Sequence, residues 1–295
     1  MVGKRALHRP WWVVDSHFTT GKGTGDMPNR HAHWYVLGIF PLAALAFWPS
    51  YLSQLATAPA QFHAHGITAS LWLLLLAAQS WTIHQSQRRI HRQLGLASLL
   101  LFPLFLMGGA GIFFGMAERF VAGEPFQAMY APRLAWLDFV GVASFAFFYY
   151  EALRQRRKVH IHSRYMLATA IFLLPPIFGR LSAIPLGVTG PQDLAKLGVG
   201  FQIANGVTAA VAFGLAVWSG KHGRPFWIAG VLTLVGAALY QTIGGMHSWE
   251  AVYVRVPNLP QAPFTLAAGI AGVAIGYAGW IAGRRPVPPV DTVPA

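Results

Sequence analysis

"RQRRKVHIHSRYM" runs from Arg154 to Met166, and "LATAIFLLPPIFG" (167–179) follows without a break. A cluster of Arg and Lys with two histidines one residue apart thus abuts an apolar run that ends in a Pro-Pro pair. The same conjunction of basic loop and apolar stretch recurs along the chain. Only 11% of the 295 residues are charged, against 55% hydrophobic and 14% aromatic. A soluble protein carries about 25% charged residues, so the balance is that of a chain whose solvent is the bilayer.

Working outward from this stretch, eight apolar segments approach the ~20 residues needed to cross the hydrocarbon. They lie near 34–56, 65–84, 94–117, 134–152, 163–184, 198–218, 225–247 and 262–282. The expected fold is an all-α polytopic transmembrane bundle of about eight spans. Residues 1–33 form an N-terminal tail, 34–284 the bundle, and 285–295 a Pro-rich C-terminal tail. No cleavable signal peptide is expected at the N-terminus. With no cysteine in the chain, disulfides, thiolate metal sites and Cys nucleophiles are excluded.

Eight spans sort the connections into two sets. One holds all but five of the 22 Lys and Arg, and the remaining five are Arg119, Arg133, Arg180, Lys196 and Arg255. The positive-inside rule then puts both termini in the cytoplasm, with the bacterial inner membrane as the expected location. The net charge of +13 is a product of topology. Its partner is the lipid bilayer, and nucleic acid is a poor reading because no binding fold stands behind the charge.

Three H-x-H triplets occur, at 31–33, 63–65 and 160–162. His33, His91, His162 and His222 each precede a span running outward, and His84 closes a span on the same side. A collar of imidazoles at the cytoplasmic helix ends is expected, with His31, His33 and His160 as metal-ligand candidates. Interfacial histidines with no ligand are the plainer alternative. An internal repeat is also legible: "RRIHRQLGLAS" (88–98) aligns with "HIHSRYMLAT" (160–169), matching His91 to His162 and Ser98 to Thr169. It predicts repeated helical hairpins.

The "HAHG" (63–66), "HRQLG" (91–95) and "HSRYM" (162–166) signatures resemble uncharacterised bacterial multi-pass membrane proteins and, more distantly, cytochrome b561-type heme bundles. The resemblance covers about residues 60–185. It implies a heme b or transition metal held by His65, His84, His91 and His162, and with it electron transfer or redox assembly work alongside a redox partner. His65 and His84 lie about 28 Å apart along a helix, toward opposite membrane surfaces.

A second constellation gathers near the outer span ends: His63, Asp138, Arg180, Gln202, Asn205, Gln241, His247 and Glu250. Charged groups at membrane depth tend to face the bundle interior, and Asp138 and Arg180 are expected to pair. These residues support the alternative function, a non-redox transporter or binding protein with an outer polar pocket for a small polar or anionic ligand. Pro175-Pro176 should kink the span that carries Arg180. Gly272 and Gly276 form a G-x-x-x-G pattern for close helix packing, within the chain or between protomers of a homo-oligomer. Trp34, Trp227, Trp249 and Trp280 suit interfacial belts, as do Trp11 and Trp12. "GKGTG" (21–25) lacks the spacing of a phosphate loop and reads as linker.

Overall fold

The computed structural model describes residues 30–284, so Trp11, Trp12, "GKGTG" and the Pro-rich tail lie outside the described residues. Every element among them is helical. Two short helices come first, α1 (Ala32–Leu37) and α2 (Ile39–Phe47). Three long ones follow, α3 (Ala60–His84), α4 (Arg88–Val121) and α5 (Pro125–Arg154). Next are α6 (Val159–Ala168), α7 (Leu174–Leu181), α8 (Leu197–Trp218) and α9 (Arg224–Gln241). The short α10 (His247–Tyr253) and the last span α11 (Gln261–Ala282) complete the chain.

Seven segments are long and apolar enough to cross a membrane: 60–84, 88–121, 125–154, 159–181, 191–218, 224–245 and 261–282. They match the expected second to eighth spans. Their helices generally begin earlier, because hydropathy sees only the part of a helix that sits in hydrocarbon. At 34 residues, α4 is about 51 Å long and overreaches a core of about 30 Å.

The expected first span corrects most. Residues 34–56 form no continuous helix: α1 and α2 meet at Gly38, and a 3-10 turn follows at Leu52–Gln54. The segment still follows α3 from end to end. His33 lies within electrostatic reach of His84, while the Tyr51 Oη is 2.8 Å from His63 Nδ1. Those two histidines are near opposite ends of α3.

The expected kink is present in the fourth long span. A 3-10 stretch (Thr169–Leu173) separates α6 from α7, immediately before Pro175 and Pro176. A proline lacks the amide hydrogen and its ring crowds the preceding turn, so two in succession favour a break just before them. The interruption is stitched to the core. Thr169 Oγ1 accepts a hydrogen bond from the Trp72 indole at 3.0 Å and donates to Met166 O at 2.6 Å. Trp72 is fully buried among Phe102, Phe105, Phe145 and Tyr149, with its ring 4.9 Å from Phe145 and 5.3 Å from Tyr149.

The glycines of α11 face inward. Gly269, Gly272, Gly276 and Gly279 are its buried residues, and they lie against α4 and α5. A Cβ on Gly272 would come within 2.7 Å of the Pro103 Cα, and one on Gly279 within 3.0 Å of Tyr150 O. The G-x-x-x-G face is therefore used within the chain, not between protomers. Leu266, Ile270, Val273 and Tyr277 point outward and are more than half exposed, as a lipid-facing surface requires.

Candidate functional site

The histidine collar and the outer constellation are both at helix ends or in the outer half of the bundle, and the fold treats them differently. Around the basic connections, His91 Nδ1 lies 3.1 Å from Gln79 O and His162 Nδ1 lies 2.8 Å from Ala152 O. Each starts its helix and reaches back to a carbonyl near the end of the preceding one. A carbonyl only accepts, so Nδ1 carries the hydrogen and Nε2 keeps its lone pair. The repeat extends inward. Ser98 and Thr169 each return their hydroxyl to the carbonyl three residues back, and each bonds across to another helix, Ser98 to Tyr149 at 2.8 Å and Thr169 to Trp72. The aligned residues do equivalent work in the two hairpins.

The other collar members divide into pairs. His84 Nδ1 is 2.6 Å from its own helix's Ser80 O, leaving a buried Nε2 without a partner, and His33 has a buried, unpartnered Nδ1. His160 stacks on His222 at 4.9 Å and 9°. Loss of water, then the nearby Arg164, His160 and Lys221, hold the His222 imidazole below its ordinary value. His31 is exposed at the start of α1. Among the described residues, no three His, Cys, Asp or Glu gather as a metal site. His65 belongs elsewhere altogether.

The basic ends do converge. Arg156 donates to Trp280 O at 2.8 Å, covers the Trp280 ring at 4.4 Å, and lies within electrostatic reach of Arg284. With the His160–His222 stack, this ties the connections after α5 and α8 and the end of α11 to one face.

Within the spans, three ionisable side chains come together from three helices: His65 of α3, Asp138 of α5 and Arg180 of α7. Arg180 acts electrostatically on both others. His65 is set by close packing. Gly108 of α4 brings backbone so near that a Cβ there would lie 2.9 Å from the His65 Cα. The imidazole rests 5.4 Å from the Phe105 ring, and its Nδ1 is buried without a partner. Arg180 donates Nη1 to Pro176 O at 3.0 Å and lies 4.2 Å above the Phe47 ring. It does not close an ion pair with Asp138, contrary to the expectation of direct contact.

Asp138 occupies the core-facing stripe of α5, with Ala131, Ala135, Val142, Phe145 and Tyr149 at helical spacing. Its neighbours at the two ends of that stripe are buried, whereas Asp138 and Val142 retain accessible surface. Protein nevertheless crowds the carboxyl enough to desolvate it. Arg180, like Asp138, keeps an exposed face while protein crowds its charged end. Tyr253 of α10, fully buried and with an unpartnered hydroxyl, lies within electrostatic reach of Asp138. Phe47 and Tyr253 were not legible as site residues, since an aromatic in an apolar stretch carries no signal of its own.

The rest of the outer constellation separates. His63 holds Tyr51. Asn205 turns back on its own helix, donating to Phe201 O at 2.7 Å. His247 and Glu250 approach at 3.7 Å on the exposed surface of α10. Gln202 and Gln241 line a cavity of about 420 Å³ on another face of α5, with Tyr130, Arg133 and Tyr240. The Trp249 indole donates to Pro132 O at 2.7 Å and packs on Trp136. No family model matches this chain, and no curated protein or solved structure is significantly similar to it.

Proposed function

We infer that this multi-pass membrane protein binds or transports a small polar or anionic ligand at a centre formed by His65, Asp138 and Arg180. The observation that carries the reading is the approach of three ionisable side chains from three spans, with Arg180 in electrostatic reach of both His65 and Asp138. Ionisable groups at membrane depth are expensive and mark pathways or sites. Arg180 offers donors to an acceptor or anion, Asp138 accepts from a donor, and the unpartnered His65 Nδ1 adds a third polar contact. The absence of a closed Asp138–Arg180 pair leaves both groups able to engage a ligand. The basic face is assigned to the cytoplasm of a bacterial inner membrane by the positive-inside rule.

The test is a thermal-shift screen of the purified protein with glycine, acetate and ethylammonium, which carry both charges, the anion alone and the cation alone. Glycine should stabilise the wild type, with a response that falls in both Asp138→Asn and Arg180→Gln; acetate, which offers Asp138 no donor, should show a response that falls in Arg180→Gln alone. A response to ethylammonium alone, or responses untouched by either substitution, defeats the reading.

A second reading has its own support. Ligating histidines commonly donate their other ring N–H to a backbone carbonyl, as His84, His91 and His162 do here. His91 and His162 are also within electrostatic reach of each other. Their donor chemistry fits a heme b or transition metal, which would supply one-electron chemistry when bound. The chain's own residues would fix the tautomer and aim Nε2. A Soret band or stoichiometric metal in purified protein, lost in His91→Ala and His162→Ala, favours this reading; a colourless, metal-free preparation disfavours it.

A further inference from the structure

We propose that the cavity between α5, α8 and α9 is a second, separate binding site, which takes the carboxylate or phosphate group of an amphipathic anion. Arg133 and Asp138 are both on α5 but about 140° apart around it, so this cavity opens on a different face from the interior centre. Its volume of about 420 Å³ falls within the range of small-ligand sites.

The lining is rich in donors. Arg133 reaches Gln241 Oε1 through Nη1 at 3.4 Å, and its guanidinium lies 6.0 Å from the Tyr240 ring. No carboxylate lines the cavity, and none among the described residues pairs with Arg133. Two further polar ends are buried without a partner, the Tyr240 hydroxyl and the Gln202 amide nitrogen. Buried donors are nearly always satisfied in native proteins, so two orphans beside an uncompensated guanidinium call for an acceptor.

The cation's seat is built by the backbone. The 3-10 turn Ile243–Gly245 wraps Arg133: a Cβ on Gly245 would lie 3.0 Å from Nη2, and one on Gly244 would lie 2.9 Å from the Arg133 Cα. A side chain at Gly245 would crowd the guanidinium itself, and one at Gly244 would crowd the helix backbone that carries it. At the rim, Met129 and Val199 are 45% and 60% exposed and give the opening an apolar edge. An anionic head on a short apolar body, or a lipid headgroup entering from the side, matches this division. Arg is the residue suited to such planar, forked recognition.

The test uses the full-length chain, purified and delipidated in detergent, and reads thermal shift and bound mass by native mass spectrometry. One arm adds inorganic phosphate; another adds phosphatidylglycerol against phosphatidylcholine. Stabilisation in the first arm assigns a soluble anion, and stabilisation by phosphatidylglycerol alone assigns a headgroup. Arg133→Gln should weaken the effective affinity roughly tenfold or more, as expected for losing a charge-assisted contact. Tyr240→Phe, which keeps the ring and the packing, should weaken it less. Asp138→Asn should leave this response intact, so failure here is distinguishable from failure of the interior centre. No stabilisation in any arm, or wild-type responses in both Arg133→Gln and Tyr240→Phe, overturns the proposal.

Discussion

At the scale of residues, one buried polar contact can be isolated by substitution. Trp72 is fully buried and its indole N–H has one partner, Thr169. Thr169→Val keeps the shape and strands that donor, so it should destabilise by about 1–3 kcal/mol, read as a lower melting temperature in detergent. Adding Trp72→Phe should then cost less than it does alone, because the orphaned donor goes with it. An unchanged melting temperature in Thr169→Val would mean that the bond contributes nothing net. His222 supplies a pH-dependent contact. Its imidazole is held below the ordinary 6.5, so the unfolded chain takes up the proton first. Its contribution is whole above about pH 6.5 and declines as the pH falls toward the folded-state value. Melting temperatures should therefore drop on the acid side of 6.5, and His222→Gln should flatten that slope. The histidines were legible from their positions before each span, but their partners were not. Which carbonyl receives His91 or His162 depends on how two helices meet.

At the scale of elements, the long spans were legible because hydrocarbon demands a continuous apolar stretch, and seven were recovered. The first was legible as an apolar stretch but not as a broken one, because hydropathy registers apolar residues and not continuity. Gly38, Pro41 and Pro49 fall within 34–56, and the helix breaks at the first of them. The outer constellation was legible by depth and illegible by face. Asp138 and Arg133 are near neighbours in sequence but lie about 140° apart around α5. Packing also decided the role of the α11 glycines, which a G-x-x-x-G pattern alone leaves open. Gly272→Leu should therefore act on the monomer: its side chain meets Pro103, and the overpacking should cost about 1–3 kcal/mol or more. Val273→Leu, on the exposed face beside it, should be neutral. Thermal melts with size-exclusion chromatography separate the cases. A changed oligomeric state with unchanged stability in Gly272→Leu would mean that the stripe serves a partner after all.

At the scale of the whole molecule, the unequal faces and the course of residues 32–51 together predict a topology that fusions can test. The connections after α3, α5 and α8 and the end of α11 carry Arg88, Arg89, Arg92, Arg154, Arg156, Arg157, Lys158, Arg164, Lys221, Arg224 and Arg284. The opposite ends are close to neutral, with Arg119 offset by Glu124 and Lys196 by Asp193. The positive-inside rule then puts a reporter at Arg157 in the cytoplasm and reporters at Gly123 and Gln192 across the membrane. The N-terminus depends on the segment ahead of α3. Its two helices span only about 24 Å, less than the hydrocarbon thickness, so composition alone would leave it on one surface. Its contacts indicate otherwise: His33 is near His84 at the basic end of α3, and Tyr51 is bonded to His63 at the other. Between them, Phe47 meets Arg180 while Val36, Ile39 and Ala46 are buried in the main core, so packing and these end contacts, not helix length, hold the broken segment in place. A reporter fused ahead of Arg30 should therefore share the cytoplasmic face with Arg157, and Tyr51→Phe together with His63→Ala should loosen that assignment. A wild-type reporter on the far side would mean that residues 32–51 lie along one surface and that the chain crosses seven times.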